Sequence, residues 1–324
     1  MAEKQFNSYR PSHTTQEVET LTTTVLGKDV RSISRQDLGI INAVYFVTLS
    51  DESECVIKIS PKERDWNNFE EEAWAFKKCR EIGIPTPETL AVDTSLSTFP
   101  EAYLITKRLP GINGEEAHLS EVDKHAVLEQ LGYFLSEIHS IHIKGFGKFK
   151  KLGDEFVGEH ESLWESIAQE LEAGWWNNVI DTNKLLPAGR LEQVKQRFNN
   201  NKKLFAHPTT PSLIYSDAAL KNLLVRGSNI TGILDMENIF ASDPIQDFSR
   251  FHFWVKDAEG YLDSIQKGYA NKDLFDENFR KKLLMYETIN ALGTLAFRFE
   301  KGNLEEMNHS RERLDELERE LETL

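Results

Sequence analysis

Asp217, Asn222 and Asp235 are placed around two short apolar segments, and this pattern limits the possible folds more than any other feature of the chain. The first apolar segment follows Asn222 directly, and the second ends at Asp235 after an intervening polar turn. A strand–turn–strand arrangement of this kind brings residues at neighbouring strand ends close together. We therefore predict that residues 213–235 present one carboxamide and two carboxylates at neighbouring strand ends.

These oxygen atoms suit phosphoryl transfer from a nucleotide. The reaction needs a carboxylate that orients a hydroxyl and accepts its proton, and it needs oxygen ligands for Mg²⁺. Mg²⁺ keeps several waters and binds phosphate oxygens, so the protein supplies few ligands. We predict that Asp217 is the catalytic base, worth roughly a hundredfold to ten-thousandfold in rate, and that Asn222 and Asp235 are metal ligands. Either aspartate alone would more simply start or cap a turn, but the combination favours the catalytic interpretation.

The segment 213–247 resembles the aminoglycoside phosphotransferase-like family of small-molecule kinases, which includes choline and fructosamine kinases and is distantly related to protein kinases. The family pattern is His-Gly-Asp, four residues, Asn, then Ile-Asp-x-Glu/Asp, then Gly-Asp-Pro-x-x-Asp. The matching residues of this chain are Tyr215-Ser216-Asp217, Asn222, Leu234-Asp235-Met236-Glu237 and Ser242-Asp243-Pro244-Ile245-Gln246-Asp247.

This resemblance also implies roles for residues near the motif. Asp247 would be a structural carboxylate that braces the catalytic loop, and Glu237 would touch a second metal or a substrate amine. Tyr215 and Ser216 depart from the pattern, since they stand where the family usually has His and Gly. That His is mostly architectural, so we interpret Tyr215 as tolerated. Lys221 replaces a commonly small residue and either reaches the transferred phosphate or points into solvent, which we favour.

Lys58 lies inside a predicted apolar strand, 55–59, where an unpaired ammonium group is costly to bury. It therefore needs a carboxylate. The helix predicted from about residue 67 to 82 begins with three consecutive glutamates, of which Glu72 matches the family's helix glutamate. The alternative is an edge-strand lysine that reaches solvent and a solvated acidic helix start that suits the helix dipole. We predict a Lys58–Glu72 pair that binds the nucleotide, although either neighbouring glutamate could take this place.

Two further segments resemble nucleotide-binding parts of the family. Gly39 and Asn42 match a short Gly-x-x-Asn turn that covers the phosphates, and backbone NH groups in such a turn can cradle an anion. A plain hairpin turn is an equal alternative. The predicted strand 102–105 runs into a Leu-Pro-Gly segment like the family's hinge, where backbone groups bind the purine edge. Thr106 and Arg108 lie in this hinge, and the side chains there do not distinguish ATP from GTP.

The length of 324 residues and the hydrophobic fraction of 40% allow two lobes with ample core. We predict an α+β, bilobal protein kinase-like fold. A polar N-terminal segment, 1–25, precedes a strand-rich, nucleotide-gripping N-lobe, 26–110. A mainly helical C-lobe, 111–324, carries the catalytic loop, the metal site and the substrate-binding helices. We expect the first ~20 residues to be loosely ordered.

Composition excludes several classes of protein. Lys and Arg number 38 against 53 Asp and Glu, and the net charge of −15 argues against nucleic-acid binding. It would attract a cationic substrate, although solubility is the simpler explanation. No apolar run approaches the ~20 residues of a membrane span, and the N-terminus lacks a signal-peptide core. Cys55 and Cys79 form no CxxC motif and are interpreted as reduced, packed thiols of a cytoplasmic protein.

Some features keep two interpretations. Trp175 and Trp176 lie in the region 150–205, where the family places much of its substrate selectivity, and either could contact a substrate or pack inward. His139 is expected to pack and hydrogen-bond rather than to bind a metal. The C-terminal helix has leucines at heptad spacing that suit a short dimer seam or, as we favour, packing against its own lobe. The chain is thus expected to be a monomer or a weak dimer.

Together these features predict an ATP-dependent kinase. Mg²⁺-ATP would be held by Lys58, Asn222, Asp235 and the hinge, while Asp217 presents a hydroxyl of a small metabolite or antibiotic, such as a sugar, amino sugar or amino alcohol. A protein substrate is disfavoured because no recognisable activation segment follows Asp235. One alternative is a catalytically silent nucleotide-binding protein that acts through a partner, suggested by Tyr215. Another is a fructosamine-type kinase that acts on glycated amines.

Overall fold

The computed structural model describes residues 13–36, 41–61, 68–255 and 258–324. The chain divides into two compact units. The first comprises Met1–His118 and Leu220–Asn238, and the second comprises Leu119–Ala219 and Ile239–Leu324. The segment that contains Asn222 and Asp235 therefore belongs to the same unit as the N-terminal strands, whereas Asp217 belongs to the other.

Among the described residues, strands outnumber helices in the N-terminal third of the chain, and helices dominate its C-terminal third. In chain order they are α1 (Thr15–Leu26), β1 (Val30–Gln36), β2 (Ala43–Leu49), β3 (Glu54–Ile59), α2 (Phe69–Glu81), β4 (Thr89–Asp93), β5 (Tyr103–Lys107), β6 (Ile112–Asn113), α3 (Glu121–His139), β7 (Phe146–Leu152), β8 (Glu155–His160), α4 (Leu163–Ala173), α5 (Trp175–Thr182), α6 (Arg190–Asn200), β9 (Ser212–Ile214), β10 (Leu223–Arg226), β11 (Asn229–Ile233), β12 (Phe240–Ser242), α7 (Ile245–Trp254), α8 (Ala258–Gly268), α9 (Phe279–Glu300) and α10 (Leu304–Glu322).

The first unit is built on a five-stranded antiparallel sheet of order β1-β2-β3-β5-β4. Ile57 and Ile59 point into the core on one face of this sheet. Because successive side chains of a strand alternate between faces, Lys58 points to the opposite face. Lys58 pairs in register with Val44 on β2 and Leu104 on β5. Because Ile57 and Ile59 are buried on one face of the sheet, the ammonium group of Lys58 lies on the other face.

A smaller antiparallel sheet of order β11-β10-β6 belongs to the same unit. The predicted strand–turn–strand is present as β10 and β11. Asn222 directly precedes β10, and Asp235 lies two residues after β11. The backbone NH of Leu234 donates to the carbonyl of Asn222 at 2.9 Å, so the two ends of this hairpin are joined next to both predicted metal ligands.

Residues 1–12 of the segment expected to be loosely ordered lie outside the described residues, but residues 15–20 depart from this expectation because they belong to helix α1. Thr14 and Glu17 form a capping box at its start. Val18 and Leu21 pack into the core of the five-stranded sheet, with Val25 against it. These three residues do recur at helical spacing, but the surrounding threonines have a low helix propensity that conceals the signal. Burial of the apolar face stabilises the helix where propensity alone would not.

The second unit places the segment before Asp217 in a four-stranded antiparallel sheet of order β8-β7-β12-β9. Asp217 lies three residues after β9, and β12 leads into α7, whose first turn contains Asp247. Leu213 of β9 pairs with Ala241 of β12. Strand pairing therefore brings the chain before Asp217 and the start of α7 to the same part of this unit.

The C-terminal helix α10 packs against α9 of its own chain. Its apolar residues at heptad spacing are buried there, while the final residue, Leu324, is exposed; the buried residues are Met307, Leu314, Leu317 and Leu321. Of the two arrangements predicted for this helix, a dimer seam and packing against its own lobe, the structure shows packing against its own lobe. None of the helices within the described ranges is long and apolar enough to cross a membrane.

Both cysteines are free and buried. Burial raises the pKa of Cys55 to about 11 and that of Cys79 to about 12. Neither thiol is therefore ionised near neutral pH, as expected for packed rather than reactive cysteines.

Helices α3 and α8 approach each other closely at two glycines. A Cβ atom at Gly132 would lie 2.0 Å from the carbonyl oxygen of Ile265, and one at Gly268 would lie 1.7 Å from that of Glu129. These are backbone atoms, so neither clash can be relieved by a side-chain rotation. The helix pair therefore requires glycine at both positions.

The Gly132→Ala variant is expected to lose about 1–3 kcal/mol of unfolding free energy or more, because the added methyl group forces the helices apart. Gly293→Ala is the matched control, since the corresponding Cβ in α9 would meet only Trp176, at 3.9 Å. That variant should gain about 0.5–1 kcal/mol from the better helix propensity of alanine. Chemical denaturation of both variants measures the difference, and equal stabilities would contradict the close helix contact.

Candidate active site

Lys58 is the centre of a charged cluster in the first unit. Its Nζ donates to Glu72 Oε1 and to Asp235 Oδ1, both at 2.8 Å. Glu72 is fully buried, whereas the side chain of Asp235 is 35% exposed. Of the three consecutive glutamates of α2, Glu72 contacts the lysine, and Glu70 instead accepts a hydrogen bond from Thr94 at 2.8 Å. The lysine, the helix glutamate and one predicted metal ligand are therefore in direct contact.

The ionisation of these groups is coupled. Burial opposes the charge of Lys58, but the negative charges of Asp235, Glu72 and Glu237 raise its pKa. Burial also raises the pKa of Glu72, and the charges of Asp235 and Glu237 act in the same direction. For Asp235, burial is outweighed by the charge and hydrogen bond of Lys58, which lower the pKa. The three carboxyl groups and Lys58 therefore influence one another's protonation.

Asp235 is held in an unusual backbone conformation. Its φ of +59° lies in the left-handed region, which costs a non-glycine residue of order 1–3 kcal/mol. On one side, Leu234 is bonded to Asn222, and on the other, the NH of Met236 donates to Glu72 Oε1 at 3.2 Å. The hydrogen bonds on both sides fix the direction in which the Asp235 carboxylate points.

Asn222 and Asp235 fit a Mg²⁺ ion that arrives with phosphate. Both offer oxygen atoms, and Asp235 keeps part of its side chain accessible. Among the described residues, no group of three or more His, Cys, Asp or Glu side chains could hold a metal by itself. Mg²⁺ usually takes one or two protein carboxylates and completes its shell with phosphate oxygens and water. Such a pair of ligands therefore suits a metal that a nucleotide brings to the site.

Asn42 belongs to the same cluster through Glu237. Its Nδ2 donates to Glu237 Oε2 at 2.9 Å. Asn68, at the start of α2, donates from Nδ2 to the backbone carbonyl of Glu237 at 2.7 Å. Gly39, the other residue of the predicted phosphate-covering turn, lies outside the described residues. The structure thus places Asn42 next to a carboxylate of the cluster.

The two predicted hinge residues have different environments. Thr106 is buried and pairs with Val56 in the sheet, which puts its side chain on the same face as Lys58. Arg108 is more exposed; its guanidinium group lies 4.2 Å from the ring centroid of Phe46 and 3.0 Å from Glu54. Only Thr106 is therefore part of the buried surface beside Lys58.

Lys221 is exposed, and its charge lowers the pKa of Asp235. Its backbone carbonyl accepts a hydrogen bond from Asn113 Nδ2 at 2.5 Å. The exposure of Lys221 agrees with the prediction that its side chain points into solvent. Its effect on the pKa of Asp235 was not predicted.

The backbone that leads into Asp217 is braced by Asp247 in the second unit. The fully buried Asp247 carboxylate accepts from the NH groups of Tyr215, at 2.9 Å, and Ser216, at 2.5 Å. It also lies 2.8 Å from His139 Nε2. Because a carboxylate can only accept, His139 carries a proton on Nε2. This is the bracing role that the family resemblance implies for Asp247.

Arg250 is a residue of this site that the sequence did not reveal. Its Nε donates to the carbonyl of Ser216, directly before Asp217, at 3.1 Å. Burial lowers the pKa of Arg250, while the negative charges of Asp217 and Asp247 oppose this shift. The only available signal was its position three residues after Asp247 on one helix face.

Trp176 is fully buried, and its Nε1 donates to Glu170 Oε1 at 2.6 Å. Trp175 is 45% exposed. Of the two tryptophans considered for substrate contact, only Trp175 is therefore accessible.

Ser216 has a φ of +69°, which explains the glycine of the family pattern, since glycine adopts this conformation without strain. The neighbouring Tyr215 is fully buried and packs where the family has its architectural histidine.

Ser216→Gly is expected to raise the unfolding free energy by about 0.5–1 kcal/mol, because it removes the left-handed strain and keeps the NH that Asp247 accepts. Ser216→Ala is the control: it loses the same hydroxyl but keeps the strain, and should not be stabilised. Chemical denaturation of both variants measures this, and a Ser216→Gly protein less stable than the parent would contradict the explanation.

The chain is similar to proteins of known family and fold. Residues 32–281 match the model of the APH phosphotransferase enzyme family. No curated protein gives a significant match. Among similar solved structures, aminoglycoside phosphotransferase APH(4)-Ia has a TM-score of 0.71 at 16% identity, covering 94% of this chain and 99% of that one. The gentamicin complex of APH(2")-IIa has 0.65 at 17%, covering 94% and 96%.

A putative fructosamine-3-kinase from Thermobifida fusca has a TM-score of 0.70 at 16% identity, covering 93% of this chain and 99% of that one. These likenesses confirm the predicted α+β, protein kinase-like fold class. The predicted enzyme class, a phosphotransferase with an alcohol group as acceptor, is confirmed as well. Because the family model matches well over half of the chain, this protein belongs to the APH phosphotransferase enzyme family.

Proposed function

We propose that the protein is an ATP-dependent, Mg²⁺-requiring kinase that transfers the γ-phosphate to a hydroxyl of a small molecule. The observation that supports this most is the pair of 2.8 Å contacts from Lys58 to Glu72 and to Asp235. A strand lysine paired with a helix glutamate, next to an aspartate that binds the metal, is the arrangement by which kinases hold nucleotide phosphates.

The nucleotide would be held by residues of the first unit. Lys58, fixed by Glu72, binds phosphate oxygens, and Thr106 lies on the same face of the sheet, beside the predicted purine-binding hinge. Asn222 and Asp235 hold Mg²⁺, which when bound neutralises charge that develops on the phosphates. Because these side chains are positioned before the nucleotide binds, little reorganisation is needed during the reaction.

Asp217 would act on the acceptor. Its carboxylate orients the hydroxyl and takes the proton as the oxygen forms a bond to the γ-phosphorus and the bond to ADP breaks. Asp247 and Arg250 hold the backbone before it through their hydrogen bonds to Tyr215 and Ser216. Positioning of the hydroxyl then supplies a large part of the rate enhancement.

Charge and the similar structures support a cationic small molecule as the substrate class. A net charge of −15 favours cationic small molecules such as amino sugars and amino alcohols, and a neutral sugar is a further candidate. The similar structures include complexes with hygromycin B and gentamicin. The likeness to a putative fructosamine-3-kinase supports glycated amines as a second candidate class. Buried, unreactive cysteines agree with the cytoplasmic location that the sequence predicts.

Asp217→Asn is expected to lower the turnover number at least a hundredfold, because the amide cannot accept the proton. Nucleotide affinity should change less than twofold. The measurement is a phosphate-transfer screen with Mg²⁺-ATP and a panel of aminoglycosides, sugars, amino alcohols and glycated amines. Asp263→Asn, an exposed position in α8, is the matched control. Full turnover by Asp217→Asn would contradict the assignment, and nucleotide binding without turnover of any compound by the parent would favour the catalytically silent alternative.

Glu72→Gln is expected to raise the KM for ATP about tenfold, because Lys58 loses the charged partner that fixes it towards the phosphates. Glu71→Gln is the matched control, since it makes the same change one residue earlier on α2, and its KM should stay within twofold of the parent. Steady-state kinetics at saturating acceptor measures both. An equal effect of the two substitutions would contradict a specific Lys58–Glu72 pair.

A further inference from the structure

Glu237 is held at two points by asparagines of the first unit. Asn42, directly before β2, donates to the Glu237 carboxylate at 2.9 Å, and Asn68 donates to its backbone carbonyl at 2.7 Å. Glu237 lies two residues after Asp235, and both charges act on Lys58. The segment from Asp235 to Glu237 is therefore tied to two elements that are distant from it in sequence.

The contact with Glu237 fixes the orientation of the Asn42 amide. A carboxylate only accepts hydrogen bonds, so Asn42 must direct its Nδ2 towards Glu237. Its Oδ1 is then turned away from Glu237. Asn42 is only 7% exposed, and Oδ1 is buried without a hydrogen-bond donor among the described residues.

A buried carbonyl oxygen without a donor carries a desolvation penalty, so groups of this kind are usually satisfied by protein, water or ligand. Through Glu237, Asn42 belongs to a cluster of carboxyl groups that includes Asp235, the proposed metal ligand. The hydrogen-bond donors expected in such surroundings are water molecules of a bound cation. Mg²⁺ retains several of its waters in nucleotide sites, and each of these waters is a good donor.

We propose that Asn42 is a positioning residue of the phosphotransfer site, which holds Glu237 next to Asp235 through Nδ2 and accepts through Oδ1 a hydrogen bond from a water of the nucleotide-borne Mg²⁺. This role rests on the proposed kinase function. It assigns Asn42 to the hydration shell of the metal rather than to the nucleotide itself.

The proposed positioning role of Asn42 depends on the left-handed backbone conformation of Asp235. This conformation persists only where the surroundings fix it. The hydrogen bond to Glu237 restrains the same short segment, so loss of Asn42 lets the Asp235 carboxylate leave the position suited to the metal. The expected consequence is a weaker response to Mg²⁺, with nucleotide contacts that do not involve the metal left intact.

The test is a Mg²⁺ titration of the binding of a fluorescent ATP analogue to the full chain, with and without metal. Asn42→Ala should raise the half-saturating Mg²⁺ concentration about tenfold and change analogue binding without Mg²⁺ less than twofold. Thr86→Val is the stability-matched control, because it removes the buried hydrogen bond from Thr86 Oγ1 to the carbonyl of Phe76, 2.8 Å long, in the same unit. It should leave the Mg²⁺ response within twofold of the parent.

A second set of variants distinguishes loss of the Asn42–Glu237 hydrogen bond from loss of folding. Asn42→Asp places two carboxylates face to face, whereas Asn42→Asp combined with Glu237→Gln restores the hydrogen bond with donor and acceptor exchanged. The combined variant should recover the Mg²⁺ response at least fivefold relative to Asn42→Asp, with Glu237→Gln alone completing the cycle. Thermal unfolding without ligand checks that all variants fold.

The outcomes separate this role from the proposed function. If the parent binds nucleotide with Mg²⁺ but Asn42→Ala behaves like Thr86→Val, the role of Asn42 is overturned and the kinase assignment stands. An equal loss of analogue binding without Mg²⁺, or no rescue in the combined variant, overturns it as well. If the parent itself shows no Mg²⁺-dependent nucleotide binding, the proposed function fails and this role fails with it.

Discussion

An ammonium group within an apolar sheet is stable only where negative charge meets it, and the first unit is organised around this requirement at Lys58. The two carboxylates that contact its Nζ are 14 and 177 residues away in sequence, one on a helix and one after a hairpin. Loss of the lysine would leave the fully buried Glu72 carboxylate without a cation, which costs far more than the pair itself contributes. A single nitrogen atom therefore joins the five-stranded sheet, helix α2 and the segment of Asp235.

The second unit also contains a buried charged group that needs partners, in this case the carboxylate of Asp247. The buried Asp247 carboxylate is satisfied by two backbone NH groups and by His139, and His139 Nδ1 lies 2.9 Å from the hydroxyl of Tyr269. These bonds hold the chain before Asp217 in a conformation that Ser216 would otherwise avoid. Strained residues thus occur in both units next to a proposed functional carboxylate, Ser216 before Asp217 and Asp235 itself, and in each case hydrogen bonds from several elements fix the strain.

Much of this could be predicted from local patterns. The strands β10 and β11 form the hairpin predicted from apolar segments and a polar turn. The demand of Lys58 for a carboxylate follows from its apolar strand. Other features could not be predicted in this way. Helix α1 is stabilised by burial of Val18 and Leu21 rather than by its threonine-rich sequence, and the contacts of Arg250 with Ser216 and of Asn42 with Glu237 span 34 and 195 residues.

The amino-acid sequence by itself determined the chemistry of the site: oxygen ligands at the ends of two strands, a lysine on one sheet face, and the family to which the spacing belongs. These properties are local, because they depend on side-chain type and on a strand period of two residues. Only the tertiary structure decided that Asn42 turns its amide towards Glu237, that Arg250 donates to the carbonyl of Ser216, and that Ser216 and Asp235 adopt left-handed conformations. The choice of partner depends on which groups folding removes from water together, and no local pattern encodes contacts between residues so far apart in the chain.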